Sequence, residues 1–424
     1  MNISEKGKLL IKNGNIEEAI KILEEFVKEN KKENIGVHRL LAQLYMMTSN
    51  KEKAISILKQ GVNDNPDNLW LQLMFGDLYY FDLKDPVTAI EVYKKILSQF
   101  KKPERSTMSP YRYVLKRLSN IFYEIGEFEK AKEYFEMFFD LEPSDFYSSD
   151  FQKFTEILIK LGYVDKAKDI IKIGIKTHPG DLSLFDFAKE NFPDEKFEFR
   201  EKKKKGILEG VQKIPVKISL IREFENIYNL IDYYTKDLRK EGDIITISSC
   251  VTAMAEGRVY TVDTIKPSLL AKLVSRLVSQ KSVPFGGAAP LANPYAMEIA
   301  IQECGSLRIF LATVAGIIGK TFKKNGWFYI VAGAQSALID DPPASIPPFD
   351  YAVIPGPDDP FETCKRIKEK IGNRAAVIDA NDLGDAWAVG YTEGIDKGKL
   401  EIALSDNPAE NEDQRTPIVI VRGL

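Results

Sequence analysis

The stretch Ala375-Ala-Val-Ile-Asp-Ala-Asn-Asp-Leu383 sets four small apolar residues directly before Asp379, Asn381 and Asp382. The apolar run suits a buried strand, and oxygen side chains at a strand's C-terminal end are where open α/β folds place their chemistry. Working outward, a carboxylate pair, Asp340-Asp341, follows the apolar run Trp327 to Gly333, which is expected to be a strand. A third cluster, Asn407, Glu410, Glu412 and Asp413, precedes an expected terminal strand, Pro417 to Val421. Alternation also predicts strands at Asp243 to Ser248, Gly257 to Val262 and Tyr351 to Ile354. Between them, Pro267-Ser268 starts an amphipathic helix over Leu269 to Leu277, and Asp358-Asp-Pro-Phe-Glu362 opens a helix running to Ile371. Asp358 and Asp359 are assigned to capping that helix. The half of the chain from residue 207 to 424 is thus expected to be a mixed α/β domain built around an acidic cleft.

The other half repeats. Five alanines, Ala19, Ala54, Ala89, Ala131 and Ala167, are spaced by 35, 35, 42 and 36 residues. Four of them close similar phrases: Gly14-Asn-Ile-Glu-Glu-Ala19, Ser49-Asn-Lys-Glu-Lys-Ala54, Gly126-Glu-Phe-Glu-Lys-Ala131 and Gly162-Tyr-Val-Asp-Lys-Ala167; Asp85-Pro-Val-Thr-Ala89 is looser. A large residue stands nine positions before each alanine (Leu10, Tyr45, Tyr80, Phe122, Leu158), and a proline twelve after three of them (Pro66, Pro143, Pro179). A small residue lets paired helices approach, the large one fills the groove between them, and proline stops the second helix. This is the period and punctuation of tetratricopeptide repeats, which the segment resembles. Residues 1–195 are therefore expected to form an α solenoid whose concave face takes a protein or peptide, with Asp181 to Glu190 as a capping helix and Lys101 to Ser106 as an inserted loop. His38 and His178, both in this half, are read as structural, because a metal needs several converging ligands. The charged run around Glu201-Lys-Lys-Lys-Lys205 marks a linker, 196–206.

Composition removes several classes of function. The chain has 59 basic and 62 acidic residues over 424, a formal charge of -3, with no basic arm long enough to follow a phosphate backbone. Nucleic acid is not an expected partner. Cys250, Cys304 and Cys364 share no C-x-x-C spacing and are odd in number, which fits a reducing, cytoplasmic setting. Met1 to Asn15 lacks the apolar core of a signal peptide, and the longest apolar run, Ile309 to Ile318, is short of the ~20 residues a bilayer requires. That run is expected to be a buried helix, and no membrane partner is expected.

The half from residue 207 contains no histidine, which removes Ser-His and Cys-His nucleophiles and the usual His-containing zinc sites. Carboxylate and amide oxygens remain, the ligands of magnesium or manganese, along with glycine turns and basic residues able to meet phosphate. Glycine stretches at Pro284 to Ala288, Val331 to Gly333 and Gly316 to Gly319 could each turn backbone N–H groups toward an anion, the last being better suited to close helix packing.

The segments Lys213-Ile-Pro-Val, Glu241-Gly-Asp-Ile-Ile-Thr-Ile-Ser-Ser249, Ala255-Glu-Gly-Arg-Val259, Val331-Ala-Gly333, Val377-Ile-Asp379-Ala-Asn381 and Thr416-Pro-Ile-Val-Ile-Val-Arg-Gly423 occur in this order. Together they resemble the coenzyme F420-0:γ-glutamyl ligase family across residues 207–424. The resemblance implies a dimeric enzyme that uses GTP and a divalent metal, magnesium or manganese. Such an enzyme joins an amino acid to a small-molecule carboxylate through an acyl phosphate. It places Asp379 and Asn381 in a metal-binding Asp-x-Asn and Glu256 and Arg258 in a Glu-Gly-Arg element. Two family motifs are altered: a ligand aspartate is replaced by Gln335, and an arginine-bearing segment by Asp382-Leu-Gly-Asp-Ala-Trp387. The chain is thus similar to a divergent bacterial branch of the family, with Ala292 to Glu298 and Ser405 to Glu410 as its own features.

Two readings follow. In the first, the chain is a metal- and nucleotide-dependent amide ligase. Asp379, Asn381, Asp382 and Asp340 hold metal, Glu256 and Arg258 are catalytic, and Gly333, Arg308 and Lys320 meet the phosphates of GTP or ATP. In the second, it is a non-catalytic binding or scaffold protein with a degenerate ligase-like domain. Convergence of Asp379, Asp340 and Glu256 on one point distinguishes the first reading from the second.

Overall fold

The computed structural model describes residues 3–29, 35–106, 109–200, 205–278, 290–322, 326–342, 345–382, 384–410 and 413–424. The glycine stretch Pro284 to Ala288, Glu412, Leu383 and residues 201–204 of the lysine run lie outside the described residues. The chain divides into two compact units. One comprises Met1–Glu198 together with Val262–Thr264 and Pro347–Tyr351; the other comprises Phe199–Thr261, Ile265–Ile346 and Ala352–Leu424.

The first unit is a stack of helix pairs: Ile3–Lys12 with Ile16–Glu29, Ile35–Met47 with Lys51–Asp64, Leu69–Asp77 with Pro86–Leu97, Pro110–Glu124 with Phe128–Phe139, and Ser148–Lys160 with Val164–Thr177. The helix Leu182–Asn191, capped by the Asp181 carboxylate on the Leu184 N–H at 2.7 Å, ends the stack. All five anchor alanines are completely buried, as close approach of the paired helices requires. The looser third copy contains a six-residue π segment, Leu78–Leu83, that wears Tyr80 on its wider turn. Aromatic rings fill the later pairs, with Phe135 stacked on Phe154 at 5.4 Å and Phe138 on Phe146 at 4.6 Å. Buried His38 lies within the helix Ile35–Met47, and His178 Nε2 is 2.8 Å from the Phe146 carbonyl oxygen.

The second unit carries a five-stranded sheet and a cluster of helices. The strands are β1 (Gln212–Val216), β2 (Ile244–Ser248), β5 (Arg374–Asn381), β6 (Asp385–Tyr391) and β7 (Ile418–Arg422), in the order β1-β7-β2-β5-β6. Only β2 and β5 run parallel, in register Ser248 with Ile378. Ile244, Ile245 and Ile247 of β2, Ala375 to Val377 of β5 and Ile418 to Val421 of β7 are buried. Strands covered on both faces read as continuous apolar runs, which is why these were visible in the sequence. A two-residue pairing joins β3 (Tyr260–Thr261) to β4 (Ala352–Val353).

Five expectations need correction. Trp327–Ala332 is a helix and not a strand. A six-residue apolar run fits either period, and here left-handed glycines at Gly326 (φ 89°) and Gly333 (φ 99°) bracket a turn and a half that packs on the helix Ser306–Thr321. That second helix contains the run Ile309 to Ile318, but it is not buried. Only Ile309, Ala312 and Gly319 are inside, while Leu307 is 71 % and Phe310 53 % exposed. The strand expected over Gly257 to Val262 shrinks to Tyr260–Thr261, because Gly257 sits at φ 72° and the chain leaves β3 in a 3₁₀ turn; that over Tyr351 to Ile354 shrinks with its partner to Ala352–Val353. Finally, β5 does not end before Asp379. It continues to Asn381 because β6 pairs with it, Asp379 opposite Trp387 and Asn381 opposite Asp385, so Asp385 to Trp387 starts the second strand of a hairpin.

Candidate functional site

The parallel pair β2 and β5 delivers two chain ends side by side. Leaving β2, the chain enters the helix Ser249–Ala255, and Ser249 Oγ donates to Asp379 Oδ1 on β5 at 2.8 Å. A third segment arrives at Asp340, whose backbone N–H and C=O bond the Ile354 C=O and N–H at 2.8 and 3.0 Å. Burial, then the charge of Asp379, raises the Asp340 carboxyl to about 7 against a hydrogen bond from Cys250. Its neighbour Asp341 is pushed up to about 8 by burial and then by Asp340, and is partly relieved by the Asn293 amide. Asn293 is fixed in turn by accepting the Tyr295 N–H at 2.9 Å at the head of the helix Pro294–Cys304. Burial also raises Asp379, with Ser249 opposing it, and lifts the Cys250 thiol well above its ordinary range, Asp340 adding to the effect. Cys250 Sγ lies 3.9 Å from Ser345 Oγ.

Asp379 at the end of β5 and the Asp340-Asp341 pair are thus linked by charge, Asp379 disfavouring ionisation of Asp340 and Asp340 that of Asp341. Such a donor set is relieved by a hard cation. Among the described residues, no three His, Cys, Asp or Glu side chains are close enough to hold one ion together. The set therefore fits a cation held by one or two carboxylates that keeps several waters, as magnesium does, better than an all-protein cage.

The other predicted residues are distributed as follows. Asn381 shares the face of Asp379 two residues along the strand, and its Oδ1 accepts the Asp385 N–H at 3.2 Å across the hairpin turn. Asp382 accepts from the buried Asn407 amide at 3.1 Å, which joins the third acidic cluster to the end of β5. Glu256 and Arg258 form a network of their own. Glu256 accepts the Asp358 N–H at 2.7 Å, while Arg258 donates to the Gly356 carbonyl at 2.8 Å, to Glu303 at 2.7 Å and to the Asp358 carboxylate. Gly257 between them must be glycine: a Cβ there would lie 2.0 Å from the Phe224 ring at an already left-handed backbone. Arg308 and Gly333 are brought together, since Arg308 Nε donates to the Val331 carbonyl at 2.8 Å and a Cβ on Gly333 would meet the guanidinium at 2.8 Å. Lys320, at the far end of the same helix, donates to the Leu277 carbonyl at 2.9 Å. Gln335 Nε2 donates to the Pro357 carbonyl at 3.0 Å.

Ser249, Cys250 and Ser345 were not singled out from the sequence. Ser249 was legible by the rule that found Asp379, because it follows a buried apolar strand immediately. Ser345 carried no such signal: it reaches Cys250 only through the path of the chain after Asp341.

Residues 10–74 match the family model for the tetratricopeptide repeat, and residues 215–393 match that for F420-0:Gamma-glutamyl ligase. No curated protein matches the chain. Among solved structures, one of MamA from AMB-1 is 18 % identical, covering 46 % of this chain and 100 % of its own with a TM-score of 0.31. MamA from Desulfovibrio magneticus RS-1 is 13 % identical, covering 41 % and 91 % with a TM-score of 0.32. YrrB, described as a TPR protein with an unusual peptide-binding site, is 15 % identical, covering 44 % and 90 % with a TM-score of 0.34.

Proposed function

This chain joins tetratricopeptide repeats to a domain of the F420-0:gamma-glutamyl ligase family, and from that premise we propose that it is an amide ligase of the γ-glutamyl type. In this reading, the substrate carboxylate attacks the γ-phosphorus of GTP or ATP, the bond to the β–γ bridging oxygen breaks, and an acyl phosphate and GDP or ADP result. An amino acid's amine then attacks the acyl carbon, the C–O bond to phosphate breaks, and inorganic phosphate leaves as the nitrogen gives up a proton. The observation that carries the reading is that the Asp340 carboxyl lies within electrostatic reach of Asp379, which stands beside Ser249 where the parallel strands β2 and β5 end, within the matched segment.

In this proposal Asp379 and Asp340 hold magnesium or manganese, waters complete its shell, and Asp341, Asn381 and Asp382 lie at the rim. A bound divalent ion supplies charge neutralisation on the phosphates. In this proposal Arg308, which lies against the Gly333 turn, meets a phosphate, with Lys320 further along the same helix. Glu256 and Arg258 act in this proposal on the 356–358 turn that they grip, and Arg258 reaches a phosphate only by exchanging Asp358 for it. The exposed apolar side of Ser306–Thr321 supports a homodimer, and the repeats support recognition of a protein or peptide. Free Cys250, Cys304 and Cys364 support a cytoplasmic setting. Among the described residues no single helix is long and apolar enough to cross a membrane; Pro294–Cys304 and Ser306–Thr321 reach that length only together, across a bend of 117°.

The test is thermal stability with GTP or ATP, with and without magnesium or manganese, for wild type and Asp379→Asn. A nucleotide at ~100 times its Kd stabilises the fold by about 2.7 kcal/mol. The ligase reading expects a metal-dependent rise in Tm that the variant loses. A second reading, a binding protein without turnover, rests on Gln335, whose amide ties down Pro357 where the resemblance implies a ligand carboxylate. A folded wild type that shifts with no nucleotide would establish that second reading over the first.

A further inference from the structure

The first unit contains an arginine with no place in the repeat pattern. Arg117, on the helix Pro110–Glu124, is 1 % exposed and sits between two carboxylates. Asp77, from the first helix of the preceding pair, accepts from Nε at 3.0 Å; Asp350, from the segment Pro347–Tyr351, accepts from both terminal nitrogens at 2.6 Å. Next to Asp350, the Tyr351 ring packs on Trp70 at 5.3 Å and on Tyr113 at 6.0 Å, and it is 3 % exposed. The Tyr351 carbonyl accepts the Val262 N–H at 3.2 Å. Asp350 and Arg117 are 233 residues apart in sequence.

A helix in a solenoid packs one side on its partner and leaves the other open. Residues Pro110 to Ser119 are instead buried without a break. Arg112 and Lys116 pair with Asp145 and Asp150 of the repeats themselves, whereas Arg117 turns to Asp350 of the segment. The bidentate pairing of Arg117 with Asp350 is the planar geometry by which a guanidinium selects a carboxylate, and Trp70 and Tyr113 form an aromatic seat beside it. Charge, hydrogen-bond geometry and ring contacts together describe a receptor for a short acidic-aromatic peptide.

We propose that the face formed by the first helices of the repeats, around Asp77, Arg117, Trp70 and Tyr113, is a peptide-recognition surface, and that Pro347–Tyr351 is its resident ligand, bound in cis. A partner of the repeats must then bring its own carboxylate next to an aromatic ring and displace Asp350 and Tyr351. The inference does not depend on the ligase reading, because it concerns only the first unit.

The probe is a fluorescent peptide of residues 345–352, Ser-Ile-Pro-Pro-Phe-Asp-Tyr-Ala, with a control carrying alanine for its aspartate. Binding is followed by anisotropy with the full chain as wild type, as Asp350→Ala/Tyr351→Ala, and as that variant with Arg117→Gln added. The expected result is at least tenfold tighter binding by the double variant than by wild type, abolished by Arg117→Gln and weakened in the control peptide. Equal binding by wild type and double variant overturns the proposal. So does binding that survives Arg117→Gln, or no binding by a double variant that keeps its helicity and a cooperative melt. Should the double variant not fold, the wild type decides through amide exchange at Val262. Slow exchange accelerated at least tenfold by millimolar peptide supports displacement, and a rate indifferent to the peptide overturns it.

Discussion

Asp379 is the residue on which the catalytic proposal turns, and its surroundings explain why a conservative change is informative. The carboxylate is half-buried, accepts the Ser249 hydroxyl, and is close enough to Asp340 for each charge to disfavour the other. Replacing it with asparagine removes one of those charges and keeps an acceptor for Ser249, so Asp379→Asn is expected to fold at least as stably as wild type without metal. Loss of metal-dependent nucleotide stabilisation in that background is then a loss of binding and not of structure. Gly257 makes the opposite case. An alanine methyl there collides with Phe224 at a backbone angle alanine avoids, so Gly257→Ala is expected to cost about 2–4 kcal/mol, read from the urea midpoint. A change below about 0.5 kcal/mol would mean that Phe224 can move aside. The glycine of the Glu-Gly-Arg element was thus legible in the sequence as a motif position, but its reason, a ring folded over it from 33 residues upstream, was not.

At the scale of elements, the sheet is held at its opposite end by Arg422 of β7. Its guanidinium donates to both oxygens of buried Asp243, just before β2, at 2.9 and 2.8 Å. Burial alone would raise the Asp243 carboxyl, but Arg422 and the Lys240 N–H overcome it and hold it below its usual value. The contribution is therefore present above the unfolded carboxylate pKa of ~3.9 and is lost as pH falls through the lower folded value. Arg422→Gln is expected to be less stable than wild type at neutral pH and to lose less on acidification below about pH 4. Parallel pH slopes of the urea midpoint for the two proteins would refute this. Strands buried on both faces, and helices with capping aspartates such as Asp359 and Asp181, were readable in advance because their signals are local. Trp327–Ala332 was misread because helix and strand compete evenly over six apolar residues, and contact with the helix Ser306–Thr321 decided the outcome.

At the scale of the molecule, the first unit draws two short segments from the C-terminal half, so a fragment ending at Glu198 lacks Val262–Thr264 and Pro347–Tyr351. Such a fragment leaves Trp70 and Tyr113 uncovered and Arg117 with Asp77 alone. It is expected to gain thermal stability from the 345–352 peptide, which restores the missing contacts; a fragment that folds and whose Tm is indifferent to the peptide would show that the segments are dispensable. The apolar side of Ser306–Thr321 makes a second statement at this scale. Leu307 and Phe310 on that helix, Phe322 at its C-cap, and Ile330 on the next helix are each more than half exposed, a patch of the kind that marks an association surface. Sedimentation is expected to show a dimer for wild type and a monomer of unchanged helicity for Leu307→Lys/Phe310→Lys.

Sequence alone determined the repeat, because a 35-residue period of small and large residues records packing between neighbours in the chain. It also determined the buried strands and the acidic ends they carry, because those depend on a few adjacent residues. Tertiary structure decided which acids meet: Asp340 comes within reach of Asp379, while Glu256 and Arg258 turn to Asp358 and Glu303. It also decided that Asp350 returns to Arg117 across 233 residues. Contacts of that separation depend on the path of the whole chain, and no local pattern of residues encodes them.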